Sequence, residues 1–176
     1  IFFNGDIYNY KEIKKELGDY PFKTDSDTEV ILAGFVKWGA DGVLRHLRGM
    51  FAFCIYDTLE KKVFLARDFF GIKPLYYLCG HSVSTGGALT PSVNIQAFSS
   101  EIKSFLELPD FKLEVNDAAV YNYLSYQYNP LEETFFKNVF KLPPAHYLTI
   151  NLETRKWEQK RYWKFGFKPE ESLDEE

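Results

Sequence analysis

Apolar and polar residues recur along this chain in blocks short enough to name the elements they build. Ile1-Phe2-Phe3 opens as an apolar strand running into Asn4-Gly5-Asp6-Ile7. Asn9, with Glu12 three residues on, predicts a capped helix continuing to Leu17 and stopping at Gly18. Ser26 and Glu29 read as a capping box, and the run Val30-Ile31-Leu32 then Phe35-Val36 predicts a helix that closes at Trp38-Gly39. Gly49 to Tyr56 and Val63 to Arg67 predict antiparallel strands joined by a polar turn, with a third strand at Leu75 to Leu78. Further helices are expected over Glu101 to Leu108 and over Asp117 to Tyr126, the latter capped by Asn116. Late strands are expected near His146 to Leu152 and Trp157 to Trp163.

Two segments break this rhythm. Cys79 to Gln96 is rich in Ser, Gly and Thr and reads as an inserted surface loop. Its Thr85-Gly86-Gly87-Ala88-Leu89 has the look of a pyrophosphate loop but lacks the strand-to-helix frame that aims backbone amides at phosphate, so no ATP chemistry is assigned to it. Lys168 to Glu176 is Pro-led and acidic, the composition of a linker. Arg67-Asp68 and Gly71-Ile72-Lys73-Pro74 predict a turn fixed by Gly and Pro, with scaffolding as its first role.

The composition narrows the class. With 176 residues and 45% hydrophobic content, the chain can bury one substantial core, and two domains would be crowded. A net charge of −4 gives no broad basic surface, so no nucleic-acid partner is expected. No apolar run approaches the roughly 20 residues of a membrane helix, so no membrane partner is expected either. Cys54 and Cys79 have neither the number nor the spacing of a disulfide framework or metal site, and a cytoplasmic compartment is the expectation. His46, His81 and His146 share no ligand spacing and read as solvated or structural; no metal is expected.

Two places carry candidate chemistry. The Asn4 side-chain N–H and the Gly5 backbone N–H can both point at one developing negative oxygen, and Gly has no Cβ to keep a substrate away. The alternative is a plain turn, for which Asn-Gly is a strong signal. Asp27 sits in the first turn of the Ser26 helix, where the helix dipole keeps a carboxylate ionised and suited to an ammonium group; dipole complementarity alone is the other reading.

FNGDIYNY, SDTEVIL, LRGMFAFCIYD, FLARDFFGIKPLYY and FSSEIKSFL, in that order, together with YLSYQYNPLEETFFKNVFKLPPAHYLTI and the closing Arg161-Tyr162-Trp163, resemble the glutaminase domain of glutamine-hydrolysing asparagine synthetases. The resemblance implies an α+β fold of N-terminal-nucleophile type, a four-layer αββα sandwich of antiparallel sheets, here with its first strands missing. It implies a glutamine amidotransferase domain over residues 1–168 and an acidic linker over 169–176, leading to an ATP-dependent domain that amidates aspartate. Glutamine is the implied substrate, ATP and Mg belong to the absent synthetase domain, and the full enzyme is expected to be a homodimer. The family's nucleophile is an N-terminal cysteine; Ile1 stands where it is needed, and the Arg-Gly-Pro-Asp motif that holds the substrate carboxylate is absent, so the chain is expected to lack the start of its domain and to be inactive alone. Asn4 and Gly5 match the oxyanion-hole pair, Asp6 a position usually held by Glu near the bound glutamine, and Asp27 the carboxylate that receives the α-ammonium; nothing carries over onto Cys54 or Cys79. The contrasting reading is a non-catalytic scaffold that has lost its nucleophile. Retention of Asn4, Gly5 and Asp27 together argues for the enzyme.

Overall fold

The computed structural model describes residues 1–80, 94–109 and 111–166. The proposed acidic linker, the glycine pair Gly86-Gly87 and His81 lie outside them. Among the described residues twelve segments form regular structure: β1 (Phe2–Ile7), α1 (Tyr10–Leu17), α2 (Asp27–His46), β2 (Gly49–Asp57), β3 (Lys62–Arg67), β4 (Tyr76–Cys79), β5 (Ile95–Ser99), a 3-10 helix (Ile102–Glu107), α3 (Asp117–Tyr126), β6 (Val139–Lys141), β7 (His146–Asn151) and β8 (Trp157–Arg161).

Strand alternation builds the layers. One antiparallel sheet has the order β1-β2-β3-β7-β8, the other β5-β4-β6. In the larger sheet Ile7, Phe51, Phe53, Ile55, Phe64, Ala66 and Tyr147 share the face that packs on Ile13, Leu17, Val30, Ile31, Val43 and Leu44 of α1 and α2. The residues between them, Ala52, Cys54, Leu65, Leu148 and Ile150, point the other way and meet Leu75, Tyr77, Phe140 and Leu142 between the sheets. On the far side of the smaller sheet, Leu78 and Val139 bury Phe105 of the 3-10 helix. Strand period of two thus gives a sheet with two apolar faces, each needing a cover. The result is the four-layer α+β order, helices, sheet, sheet, helices.

Several local readings need correction. Asn9 does not cap α1 through its side chain; its amide donates to the His46 carbonyl and its Oδ1 accepts from Arg48 N–H, stitching the end of α2 to the start of β2. Ser26 does cap, accepting from Thr28 N–H, but Glu29 reaches past it to the backbone N–H groups of Lys23 and Thr24 and to the Thr24 hydroxyl. The Thr24 hydroxyl, followed by the Lys23 amide, holds the Glu29 carboxyl below its ordinary range. The break at Gly39 is real, with φ of 71°, yet a further helical run to His46 follows it. That run is fixed by His46, whose ring stacks on Trp38 at 3.9 Å and whose Nδ1 lies 2.7 Å from the Gly42 carbonyl.

The segment expected to be helical from Glu101 is a 3-10 turn, closed by Ser104 N–H to the Glu101 carbonyl. β5 occupies part of what reads as an inserted loop, and β6 has no three-residue signal strong enough to stand out. Both exist because β4 presents two ladder edges that must be paired. Residues 81–93 of that loop lie outside the described residues.

Candidate active site

The backbone direction of β1 defines the site. Tyr8 N–H bonds the Arg48 carbonyl across the β1–β2 pair, so the even-numbered residues of β1 exchange their hydrogen bonds with β2. The Asp68 N–H to Phe51 carbonyl bond agrees, because it turns the odd-numbered residues of β2 away from β1 and toward β3. The N–H groups of Phe3, Gly5 and Ile7 therefore point out of the free edge of the sheet, where no described strand pairs with β1. One of the three is taken: Ile7 N–H donates to Asp27 Oδ2 at 3.1 Å. That bond brings the first residue of α2 to the edge of β1 and leaves the half-buried carboxylate two strand residues from the Gly5 N–H, about 7 Å at the rise of an antiparallel strand.

Gly5 is required here for a second reason. It faces Phe51, and a Cβ built on it would fall onto the Met50 carbonyl oxygen and lie 2.8 Å from Phe51 Cα. The same crowding holds reciprocally for Gly49 against the Asp6 carbonyl. Any side chain at Gly5 would push β1 away from β2 and tilt the edge N–H groups.

Asn4 and Asp6 stand on the opposite face of β1 from Ile7, the face toward the second sheet. The Asn4 carboxamide donates to Ser100 Oγ at 3.0 Å, across 96 residues of sequence. Asp6 faces Met50, directs its backbone groups to β2, and leaves its carboxylate exposed. The structure thus gathers Asn4, Gly5 and Asp27 around one end of the sheet, with Asp6 beside them.

What holds this end in place is the Arg67-Asp68 pair, read from the sequence as a turn scaffold. The Asp68 carboxylate, 1% exposed, accepts four backbone N–H groups, those of Phe51, Phe70, Ile72 and Lys73. Arg67 donates to the carbonyls of Gly71, Lys73 and Leu142. Burial draws its guanidinium below the ordinary range and the Asp68 charge opposes that. In the sheet, Arg67 faces Ala52, which faces Asn4, and Phe51 faces Gly5. The two motifs brace each other across three strands, a relation that sequence spacing does not display.

Of the two thiols, Cys54 lies on β2 opposite Phe2 of β1, and Cys79 lies on β4 of the second sheet. Cys54 and Cys79 are buried, and burial pushes each up to about 12, so neither is a thiolate near neutral pH. Protonated, they are poor nucleophiles, and the expected result is that the purified 176-residue chain releases no glutamate from glutamine above background. It should also leave both thiols unreacted with a soluble alkylating reagent at pH 8 until denaturant is added. Glutamate release abolished by Cys54→Ser would reverse this assignment. His46 is engaged as described, and His146 Nδ1 lies 2.7 Å from the Pro144 carbonyl. Among the described residues no group of three His, Cys, Asp or Glu could hold a metal ion, and no helix is long and apolar enough to cross a membrane.

Comparison with known proteins gives a consistent account. A family model described as a glutamine amidotransferase domain matches residues 1–163. Asparagine synthetase [glutamine-hydrolyzing] 1 of Bacillus subtilis strain 168 is 36% identical over 171 residues, 96% of this chain and 25% of that protein. Asparagine synthetase [glutamine-hydrolyzing] 2 of the same organism is 39% identical over 168 residues, 93% of this chain and 21% of that protein. "Amidase chry2" of Gibberella zeae is 35% identical over 161 residues, 91% of this chain and 21% of its own length. The chain therefore spans about a quarter or less of these relatives. Among solved structures, the glutamine phosphoribosylpyrophosphate amidotransferase of B. subtilis complexed with ADP and GMP aligns with a TM-score of 0.59 at 20% identity, covering 92% of this chain and 28% of that one. This likeness shows the fold, an N-terminal-nucleophile sandwich of antiparallel sheets between helices.

Proposed function

This chain belongs to the family of glutamine amidotransferase domains, and from that premise we propose that it is the glutamine-hydrolysing half of an asparagine synthetase, laying glutamine along the free edge of β1. The observation that carries this reading is the placement of the Asp27 carboxylate and the outward Gly5 N–H on one strand edge. Their separation of about 7 Å along the strand suits a glutamine, whose side-chain carbonyl carbon and α-nitrogen lie roughly 5 Å apart over four bonds. An ammonium at Asp27 then puts the carboxamide carbonyl beside Gly5 and Asn4.

The chemistry follows as acyl transfer. The family's N-terminal cysteine thiolate attacks the carboxamide carbon and forms the C–S bond. The carbonyl oxygen takes up the negative charge and is met by the Gly5 and Asn4 N–H donors. Collapse breaks the C–N bond, the nitrogen leaves as ammonia with the proton given up by the thiol, and water then releases glutamate and restores the thiol. Ammonia passes to an ATP-dependent portion of the same polypeptide, which amidates aspartate; ATP and magnesium belong to that portion, with no cofactor in this one. The share of the relatives left uncovered by this chain, and their names, support that division of labour.

Titrating the 15N-labelled chain with millimolar glutamine tests the binding mode directly. The amide resonances of Gly5 and Ile7 should shift saturably, and glutamic acid γ-methyl ester should compete. Shifts confined to residues remote from β1 and Asp27, or none at all, would reject it in favour of a scaffold without substrate.

A further inference from the structure

We propose that Ser100 is a positioning residue for glutamine hydrolysis: from the second sheet, its hydroxyl fixes the plane of the Asn4 carboxamide so that the remaining N–H is aimed at the oxyanion. The inference rests on the glutamine-hydrolysing reading above. The terminal torsion of an asparagine is soft and broad, so an Asn on a strand does not by itself present its N–H groups in one direction. A preorganised donor needs its orientation set before charge develops, by packing or by a second hydrogen bond. Asn4 has that second bond. One N–H is spent on Ser100 Oγ at 3.0 Å, and a carboxamide has two, so the other is left with its direction determined.

Ser100 is mounted to do this. It follows β5 directly, and β5 is tied to β4 up to the Tyr76–Ser99 pair. The 3-10 helix just beyond is anchored by Phe105, 2% exposed, against Leu78 and Val139. Ser99 rather than Ser100 accepts the Glu101 N–H, so the Ser100 hydroxyl is not engaged as a helix cap. Two residues back on both strands, the Phe2 and Phe98 rings meet edge to face at 6.1 Å. Phe2 with Phe98 and Asn4 with Ser100 therefore form a seam between β1 and β5, and the seam transmits the position of the second sheet to the donor.

The test is steady-state glutaminase kinetics on the intact enzyme that carries this domain with its N-terminal cysteine. Ser100→Val and Ser100→Thr have the same shape and differ in the hydroxyl. Ser100→Val should lower kcat by ~10–100-fold, the scale expected when a reacting group is displaced by about 1 Å, with KM for glutamine changed less than about twofold as the donor acts only on developed charge. Ser100→Thr should retain kcat within about threefold, since its hydroxyl restores the anchor. An unchanged kcat in Ser100→Val, a rise in KM at constant kcat, or an equal loss in the Val and Thr variants would each overturn the proposal. A wild-type enzyme that hydrolyses no glutamine would overturn the functional reading and this role together, whereas a hydrolysing wild type with an indifferent Ser100→Val overturns this role alone.

Discussion

Asn4→Ala, in the enzyme carrying the N-terminal cysteine, is expected to lower glutamine turnover by ~10²–10³-fold, the effect of removing one side-chain donor from an oxyanion hole. KM should scarcely move, because on the proposed reading the donor meets an oxygen whose charge appears only in the transition state. The structural cost should also be small. Asn4 is half-buried, its side-chain partner is a single hydroxyl, and its strand pairing with Ala52 uses the backbone alone. Urea unfolding of the variant therefore serves as the control: a kcat loss accompanied by a shift of several kcal/mol would mean that Asn4 acts through the fold. A loss confined to KM would remove it from the oxyanion site.

Replacing Asp27 should produce the opposite kinetic signature, and two substitutions separate its two jobs. Its carboxylate accepts the Ile7 N–H and, on the reading above, receives the substrate ammonium. Asp27→Asn keeps an acceptor for Ile7 but loses the charge. Hydrogen bonds to charged groups contribute about 1.5–3 kcal/mol, which predicts a rise in KM for glutamine of ~10–100-fold with kcat reduced far less. Asp27→Ala removes both interactions and should add a loss of stability, since the first turn of α2 no longer ties to β1. Measuring glutaminase KM and kcat for both, with thermal unfolding alongside, settles the assignment. Equal falls in kcat for the Asn4 and Asp27 variants would show that the two residues do not divide ground-state and transition-state binding between them.

The parts of this molecule legible in the sequence are those whose signal is local. The alternation in Gly49 to Tyr56 and Val63 to Arg67 sets the register of β2 and β3, because a one-residue slip would turn Phe51, Phe53 and Phe64 out of the core. Ser26 as a cap and Gly39 as a break are decided by residue chemistry within one turn. By contrast, Asn9 and Glu29 have the right neighbours for caps yet spend their side chains on longer reaches, a competition that spacing does not resolve. β5 and β6 are short strands that exist because β4 has edges to fill. At the site, Asn4, Gly5 and Asp27 stand out individually, but the bond from Asn4 to Ser100 spans 96 residues and depends on how the two sheets stack. No periodicity in the chain encodes that distance.

The four N–H groups converging on Asp68 come from β2 and from the irregular loop after β3. A loop held by separate surface contacts can fray one contact at a time, but one held by a single buried carboxylate opens as a whole or not at all. Phe70, Ile72 and Lys73 should accordingly belong to the same cooperative unfolding unit as the central strands. Sequence change in that loop is then constrained by the integrity of the strand behind Gly5, so the domain cannot adjust its loop and the edge strand β1 independently.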